Sequence, residues 1–347
     1  MDVSGFGFDL PPRLIAQEPA ERGRSRLLVL RPQSGQIEHT NVSCLPELLS
    51  AGDLLVVNDT KVFPARLLGT RVPGGGSVEC LLLGKIEDDR WDALVHPGQK
   101  LHPGARMIFR GATHALHGEI LARHFHGRRT IRFWSDDSID PDEAIDEIGH
   151  VPLPPYIKRQ DALHDRDRYQ TVYARERGSV AAPTAGLHFT PQLLDALAAK
   201  GVDRAAITLH VGYGTFQPVR VTQVEAHTVG REYFSISEAA AELINRATQE
   251  GRRIVAVGTT TTRALEAAAR AGRGTITPQT GWTDLFIYPG FTFRIVSVLM
   301  TNFHLPMSSL LMLVAAFAGR DRVLAAYREA VSHDYRFYSY GDAMLIL

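Results

Sequence analysis

The chain has 347 residues, 44% of them hydrophobic and 22% charged, which suffices for two domains or for one large domain carrying an insertion. Lysine plus arginine equals aspartate plus glutamate, 38 against 38, so no globally basic nucleic-acid-binding composition is present, although a local basic patch remains open. Cys44 and Cys80 are the only cysteines and form no CxxC pair, which argues against a disulfide framework or a structural zinc site and fits a reducing compartment.

The N-terminal MDVSGFGFDLPP lacks the basic and apolar regions of a signal peptide. The longest apolar run, 310–318, falls well short of the roughly 20 residues that span a bilayer. A soluble, cytoplasmic protein is expected. Along the chain, DLLVVN (53–58) reads as a buried strand. From 62 to 134 six short apolar or alternating runs follow: VFPARLLGTR, VECLLLGKI, RWDALVHPG, ARMIFR, GEILARHF and RRTIRFW. Glycine- and proline-bearing turns separate them, the pattern of an antiparallel barrel or sandwich. Residues 140–148 read as a short helix and HVPLPPYIKR as a proline-stiffened linker.

Beyond residue 150 helices and strands alternate. Thr190 caps and Pro191 opens the helix PQLLDALAAK, which Gly201 closes. AAITLHV reads as a strand, EAAAELINRATQE as a helix, RRIVAVG as a strand, TTTT as a loop and RALEAAARA as a helix. DLFIYPG reads as a further strand, MSSLLMLVAAFA as a buried helix, RVLAAYREAV as an amphipathic helix and AMLIL as a terminal strand. This succession predicts a layered α/β domain with a mostly parallel sheet. It is formed by residues 1–69 and 151–347, with an antiparallel β-barrel domain, 70–150, inserted between them.

Common catalytic signatures are missing: there is no GxxxxGK[ST] loop, no dinucleotide fingerprint, no GxSxG and no HExxH. His124 and His126 share a strand face without a third ligand and read as solvated. Polar loops at strand ends are where α/β proteins put their sites. One is VNDTKVFPAR, with Asp59, Lys61 and Arg66; a second is APTAGLHFT, with Thr184, Gly186 and His188. LHVGYGTFQPV brings His210, Gly212 and Gly214, and TNFHLPMSS brings Asn302 and His304. VGTTTTR places Thr259, Thr260 and Arg263 at a helix start, whose free amides suit an anionic group. Each piece has a structural alternative, from helix capping to tight turns and core packing. Together they predict a pocket for a neutral or mildly polar ligand.

The strings FDLPPRLIAQ, VNDTKVFPARL, LPPYIKR, RYQTVYARERGSVAAPTAGLHFT, LHVGYGTFQPV, VGTTTTRALE, TNFHLPMSSLLMLVAAFAG and YRFYSYGDAMLI resemble the S-adenosylmethionine:tRNA ribosyltransferase-isomerase family, in order and nearly end to end. The likeness is loose over 70–140. It implies an α/β domain carrying a β-barrel, and a reaction of queuosine biosynthesis. The ribosyl part of S-adenosylmethionine moves to 7-aminomethyl-7-deazaguanine at the wobble position of a tRNA, yielding epoxyqueuosine, adenine and methionine. S-adenosylmethionine is then a co-substrate, tRNA the partner, and no metal is required.

Under that resemblance, His188, His210 and His304 become candidate bases for the 5′ carbon beside the sulfonium. Asp59 and Glu232 become candidates to face the sulfonium or the substrate amine. The threonines and loop amides would hold the ribose hydroxyls and the methionine end. A basic cluster including Lys158, Arg159 and Arg168, with Tyr156 and Tyr169 available for stacking, becomes the candidate tRNA surface. Two positions depart from the family pattern: Gly230 stands where HxMHxE has its second histidine, and Ser297 stands where an aspartate precedes TNFHLP. An S-adenosylmethionine-dependent methyltransferase and a non-catalytic RNA-binding protein remain the alternatives.

Overall fold

The structure is a computed structural model that describes residues 1–136, 139–216 and 218–347. The side chains of His126, half of the HxH pair, and Phe216 lie outside the described part. The chain first forms β1 (Arg26–Arg31), β2 (Gln36–Asn41), the short helix α1 (Leu45–Leu48) and β3 (Leu54–Asn58). The short β4 (Thr60–Val62) leads to β5 (Arg66–Val72), β6 (Ser77–Glu87), β7 (Arg90–His96), β8 (Arg106–Arg110), β9 (Ala115–Arg123) and β10 (Arg128–Ser135). Next come α2 (Pro141–Ile148), α3 (Asp165–Arg168), β11 (Glu176–Ser179), α4 (Pro191–Ala199) and β12 (Asp203–Leu209). They are followed by β13 (Glu232–Ile236), α5 (Glu238–Gln249), β14 (Ile254–Val257), α6 (Thr259–Ala271) and β15 (Gln279–Thr283). The last elements are β16 (Val298–Asn302), α7 (Ser309–Ala318), α8 (Arg320–Ser332) and β17 (Ala343–Ile346).

Nine strands form one sheet in the order β15-β13-β12-β3-β14-β16-β17-β1-β2. Its centre, β12-β3-β14-β16, is parallel throughout, and β17 also runs parallel to β1. The remaining pairings are antiparallel, so the sheet is mixed around a parallel core. The central strands read LLVVN, IVAV and VLMTN and are buried at every residue, as strands covered on both faces must be. Alternation then sorts their side chains between two layers. Leu54, Val56, Ile254 and Ala256 pack with α5 and α6, while Leu55, Val57, Val255 and Val257 pack with α1 and α4. The all-apolar α7 lies with α8 in a third cluster.

Strands β5 to β10 close into an antiparallel barrel in the order β10-β7-β6-β5-β8-β9. Alternate residues such as Trp91, Ala93 and Val95 fill it, and α2 plugs it with Ala144, Ile145 and Ile148. Phe63 and Val180 join the same cluster and tie barrel to sheet domain.

Two local expectations are corrected. TTTT is not a loop but the first turn of α6, in which Thr261 and Thr262 donate hydroxyl hydrogen bonds to the carbonyls of Val257 and Gly258 (2.6 and 3.1 Å). DLFIYPG is not a strand. Its backbone is satisfied by side chains instead: the Leu285 N–H donates to the Thr283 hydroxyl (3.2 Å) and the Leu285 carbonyl accepts from Arg263 Nε (3.0 Å).

The seam between barrel and sheet domain runs through the pair Arg66–His150, beside Gly149 at the end of α2. A β-carbon at Gly149 would sit 2.0 Å from the Pro64 carbonyl oxygen and 2.6 Å from that of Ile145. Gly149→Ala should therefore lower stability by about 1–3 kcal/mol through overpacking, read from the urea midpoint. Gly84→Ala, whose methyl meets nothing within 4 Å, should leave the midpoint nearly unchanged.

Candidate active site

Because β3, β12, β14 and β16 are mutually parallel, their carboxyl ends share one edge of the sheet. That edge delivers Asp59, His210, Gly258–Thr259 and Asn302–His304, each at or directly after the end of its strand. The buried Asn58 side chain extends the ladder between two of these ends, with Nδ2 donating to the Leu209 carbonyl and Oδ1 accepting the Leu209 N–H, both at 2.9 Å.

The principal cleft, about 530 Å³ of space open at its mouth, is walled by the 182–185 loop, the start of α6, the end of β16 and Tyr338. Thr184, Thr259, Thr260, Asn302 and His304 all line it. Asn302 is its hub. Its Oδ1 accepts from Thr184 Oγ1 (3.2 Å), and its Nδ2 donates to the Tyr338 carbonyl and to His188 Nε2, both at 3.1 Å. His188 then donates from Nδ1 to Ser25 Oγ (2.9 Å). His188 thus lies behind Asn302, buried, with both ring nitrogens engaged, and it lines a neighbouring small cavity rather than the cleft. Burial depresses its pKa to about 4. His304 does line the cleft, its Nε2 paired with Thr301 Oγ1 (2.9 Å), and burial depresses its pKa to about 3. Thr260 Oγ1 is buried and has no partner among the described residues. Gly186 lies outside the cleft lining, where a β-carbon would collide with the Tyr173 hydroxyl at 2.3 Å.

A second lobe, about 340 Å³ of space open at its mouth, shares Thr215 and Leu310 in its wall with the first. It holds Gly212, Gly214, Glu232 and Arg263. Neither glycine has a positive φ, so they admit close approach rather than an unusual turn. Glu232 and Arg263 form an ion pair at 2.6 Å with side chains only 4% and 8% exposed. Gly230 also lines this lobe, and a β-carbon there would touch nothing. The other departure, Ser297, accepts the Ile254 N–H (2.8 Å) as a strand-end cap.

A third group sits at the ends of β3 and β12. Asp59 accepts from Thr208 Oγ1 (2.7 Å) and faces Arg175 at 3.1 Å; burial is the largest influence on its pKa and raises it. His210 pairs through Nδ1 with Thr60 Oγ1 (2.8 Å), stacks on Tyr233, and has its pKa lowered by burial. Neither residue lines the principal cleft. Lys61 is exposed on β4, and Arg66 is held by Glu79 (2.7 Å) on the barrel side.

The expected tRNA arginines are largely committed within the chain. Arg159 clamps the fully buried carboxylate of Asp165 with two hydrogen bonds (2.6 and 2.9 Å), which keep that carboxyl at about 2 against the penalty of burial. Arg168 donates to the Ala20 carbonyl, and Lys158 is exposed. Among the described residues one group that could offer metal ligands, His39, Glu329 and His333, lies outside the cleft lining.

Sequence reasoning did not single out Ser25, Thr215, Thr301, Tyr338 or Ser339. Thr215 and Thr301 lie within the quoted strings LHVGYGTFQPV and TNFHLPMSS, and Tyr338 and Ser339 within YRFYSYG, where the backbone of Tyr338 adopts φ 75°. Its ring stands 3.8 Å from that of Tyr156, centroid to centroid, and the Tyr156 hydroxyl bonds Ser339.

A hydroxyl- and amide-lined cleft at the carboxyl edge of a parallel sheet, with a barrel beside it, defines a ligand-binding α/β protein. The profile of the family described as "Queuosine biosynthesis protein" matches residues 3–346. The S-adenosylmethionine:tRNA ribosyltransferase-isomerases of Desulfitobacterium hafniense and Symbiobacterium thermophilum are 51% and 52% identical to the chain, each over the full length of both sequences. A crystal structure of S-adenosylmethionine tRNA ribosyltransferase from Thermotoga maritima is 40% identical, covers 99% of this chain and 100% of its own, and superposes with a TM-score of 0.55. The chain belongs to the S-adenosylmethionine:tRNA ribosyltransferase-isomerase family of queuosine biosynthesis proteins.

The two buried imidazoles carry a consequence for stability. Unfolded, each titrates near 6.5; folded, near 4 for His188 and near 3 for His304. The unfolded chain therefore binds more protons between those values, and the stability these sites contribute is whole above 6.5 and lost as pH falls. Urea midpoints should drop steadily from pH 6.5 toward 4. A flat profile would mean that both rings reach solvent.

Proposed function

We propose that the chain transfers the ribosyl part of S-adenosylmethionine to 7-aminomethyl-7-deazaguanine at a tRNA wobble position and isomerises it, releasing adenine and methionine. The observation that carries this reading is end-to-end identity, at about half the residues, with relatives of that name. The cleft supports it. No charged side chain lines the principal cleft among the described residues, which suits a sulfonium that a cationic phosphate cradle would repel.

In this reading His304 takes the proton from the 5′ carbon beside the sulfonium. Its depressed pKa keeps the ring unprotonated in the presence of a cation. Thr184, Thr260 and Asn302 hold ribose hydroxyls, and Tyr338 with Tyr156 offers an aromatic wall to a flat purine. His188 acts as a positioning residue, fixing the Asn302 amide from behind. Asp59 and His210 are assigned to the incoming aminomethyl base, and Glu232 holds Arg263. Residues 1–69 and 151–347 act as the catalytic domain and 70–150 as an inserted barrel domain.

The test is incubation with S-adenosylmethionine and tRNA carrying the deazaguanine, followed by nucleoside mass spectrometry. Free adenine with epoxyqueuosine is expected; S-adenosylhomocysteine would mean methyl transfer. With His304 as base, kcat/KM should show no acid limb near the ordinary histidine value of 6.5. A limb there that vanishes in His210→Gln would transfer the role to His210.

For tRNA, Lys158 contributes a phosphate contact, whereas Arg159 and Arg168 build the surface by bracing its loops. Lys158→Ala should reduce the salt slope of tRNA binding by about 1, with folding intact. Arg159→Ala should instead lower the thermal midpoint, because it strips the buried Asp165 carboxylate of its partner.

A further inference from the structure

The lobe beside the principal cleft is short of acceptors. Both oxygens of Glu232 are used: Oε1 accepts the Gly212 N–H and the Thr215 hydroxyl, each at 3.0 Å, and Oε2 takes Arg263 Nη1 at 2.6 Å. Arg263 spends Nε on the Leu285 carbonyl. Its Nη2 is buried and has no partner among the described residues, although the residue is 6% exposed and lines the lobe. Arg231, exposed to solvent, also lines the lobe, as do Ser309 and Leu310, the first residues of α7. No acidic side chain other than Glu232 is present among the described lining residues. A buried guanidinium nitrogen left without an acceptor is costly, and an anion removes that cost.

The two lobes share Thr215 and Leu310 in their walls, so a ligand that spans both passes these two residues. We infer that the second lobe seats the α-carboxylate of S-adenosylmethionine and that Arg263 recognises it through Nη2. This rests on the proposed function. It deepens that reading by fixing a direction: the methionine arm points to Arg263 and the α7 start, the adenosine to Tyr338 and Tyr156, and the sulfonium lies over the neutral join between the lobes. Glu232 then has a defined part. It holds the guanidinium by one nitrogen, fixes the fork in the lobe wall, and leaves the other nitrogen to the ligand.

The same donors would also suit a tRNA backbone phosphate, and the experiment separates the two. Calorimetry on the full chain compares S-adenosylmethionine with its decarboxylated analogue, which keeps the sulfonium and the adenosine. The analogue should bind roughly 10-fold to 100-fold more weakly, the loss expected for a charge-assisted hydrogen bond. In Arg263→Lys that discrimination should shrink; if the variant does not fold, the comparison in the natural chain decides. Equal affinities would overturn this inference alone. Equal affinities together with a tRNA salt slope reduced in Arg263→Gln, which removes the charge, would give the lobe to a phosphate. Binding of neither ligand would overturn the functional reading and this one with it.

Discussion

Parallel pairing of strands that are apolar on both faces is the constraint from which the site follows. LLVVN, IVAV and VLMTN have no solvent face to offer, so they can be satisfied only in the middle of a covered sheet. Parallel register then forces their carboxyl ends onto one edge, and polar residues at those ends have to meet. Residues as distant as Asn58 and Leu209 become hydrogen-bond partners for that reason.

The electrostatics of the edge are graded. Among the described residues the principal cleft is lined by uncharged groups, with one imidazole, His304, that burial keeps unprotonated. Next to it sits an ion pair so enclosed that breaking it by removing one partner would cost about 3–5 kcal/mol. Such a pair is better understood as a fixed donor array than as a source of stability. The barrel side carries its own paired charges, such as Arg66 with Glu79, and these do not reach into the cleft.

Much of this was legible in the sequence. The six barrel strands and the central helices announce themselves by period and by turn residues, and the histidine loops mark the edge. What was hidden has physical reasons. The threonines of α6 look like a loop because β-branched residues with free hydroxyls are poor helix formers; here the hydroxyls return to carbonyls one turn back and burial outweighs propensity. DLFIYPG has strand composition, yet the backbone of Leu285 is met by side chains, the nearby Thr283 and the more distant Arg263. Strands β2 and β15, largely exposed at the sheet margins, show no strong apolar alternation. The place of His188 behind Asn302 depends on Ser25, far away in sequence, and on a hydrogen bond that no local pattern encodes.

Tyr338 bears on how such a protein can change. Its backbone occupies the left-handed region, a conformation that costs a residue with a side chain about 1–3 kcal/mol at a constrained position. Its N–H is tied to the Phe303 carbonyl (3.0 Å) and its own carbonyl to Asn302. Glycine would relax that backbone but remove the ring from the cleft wall. Relief of backbone strain and an aromatic cleft wall therefore exclude one another at this one residue.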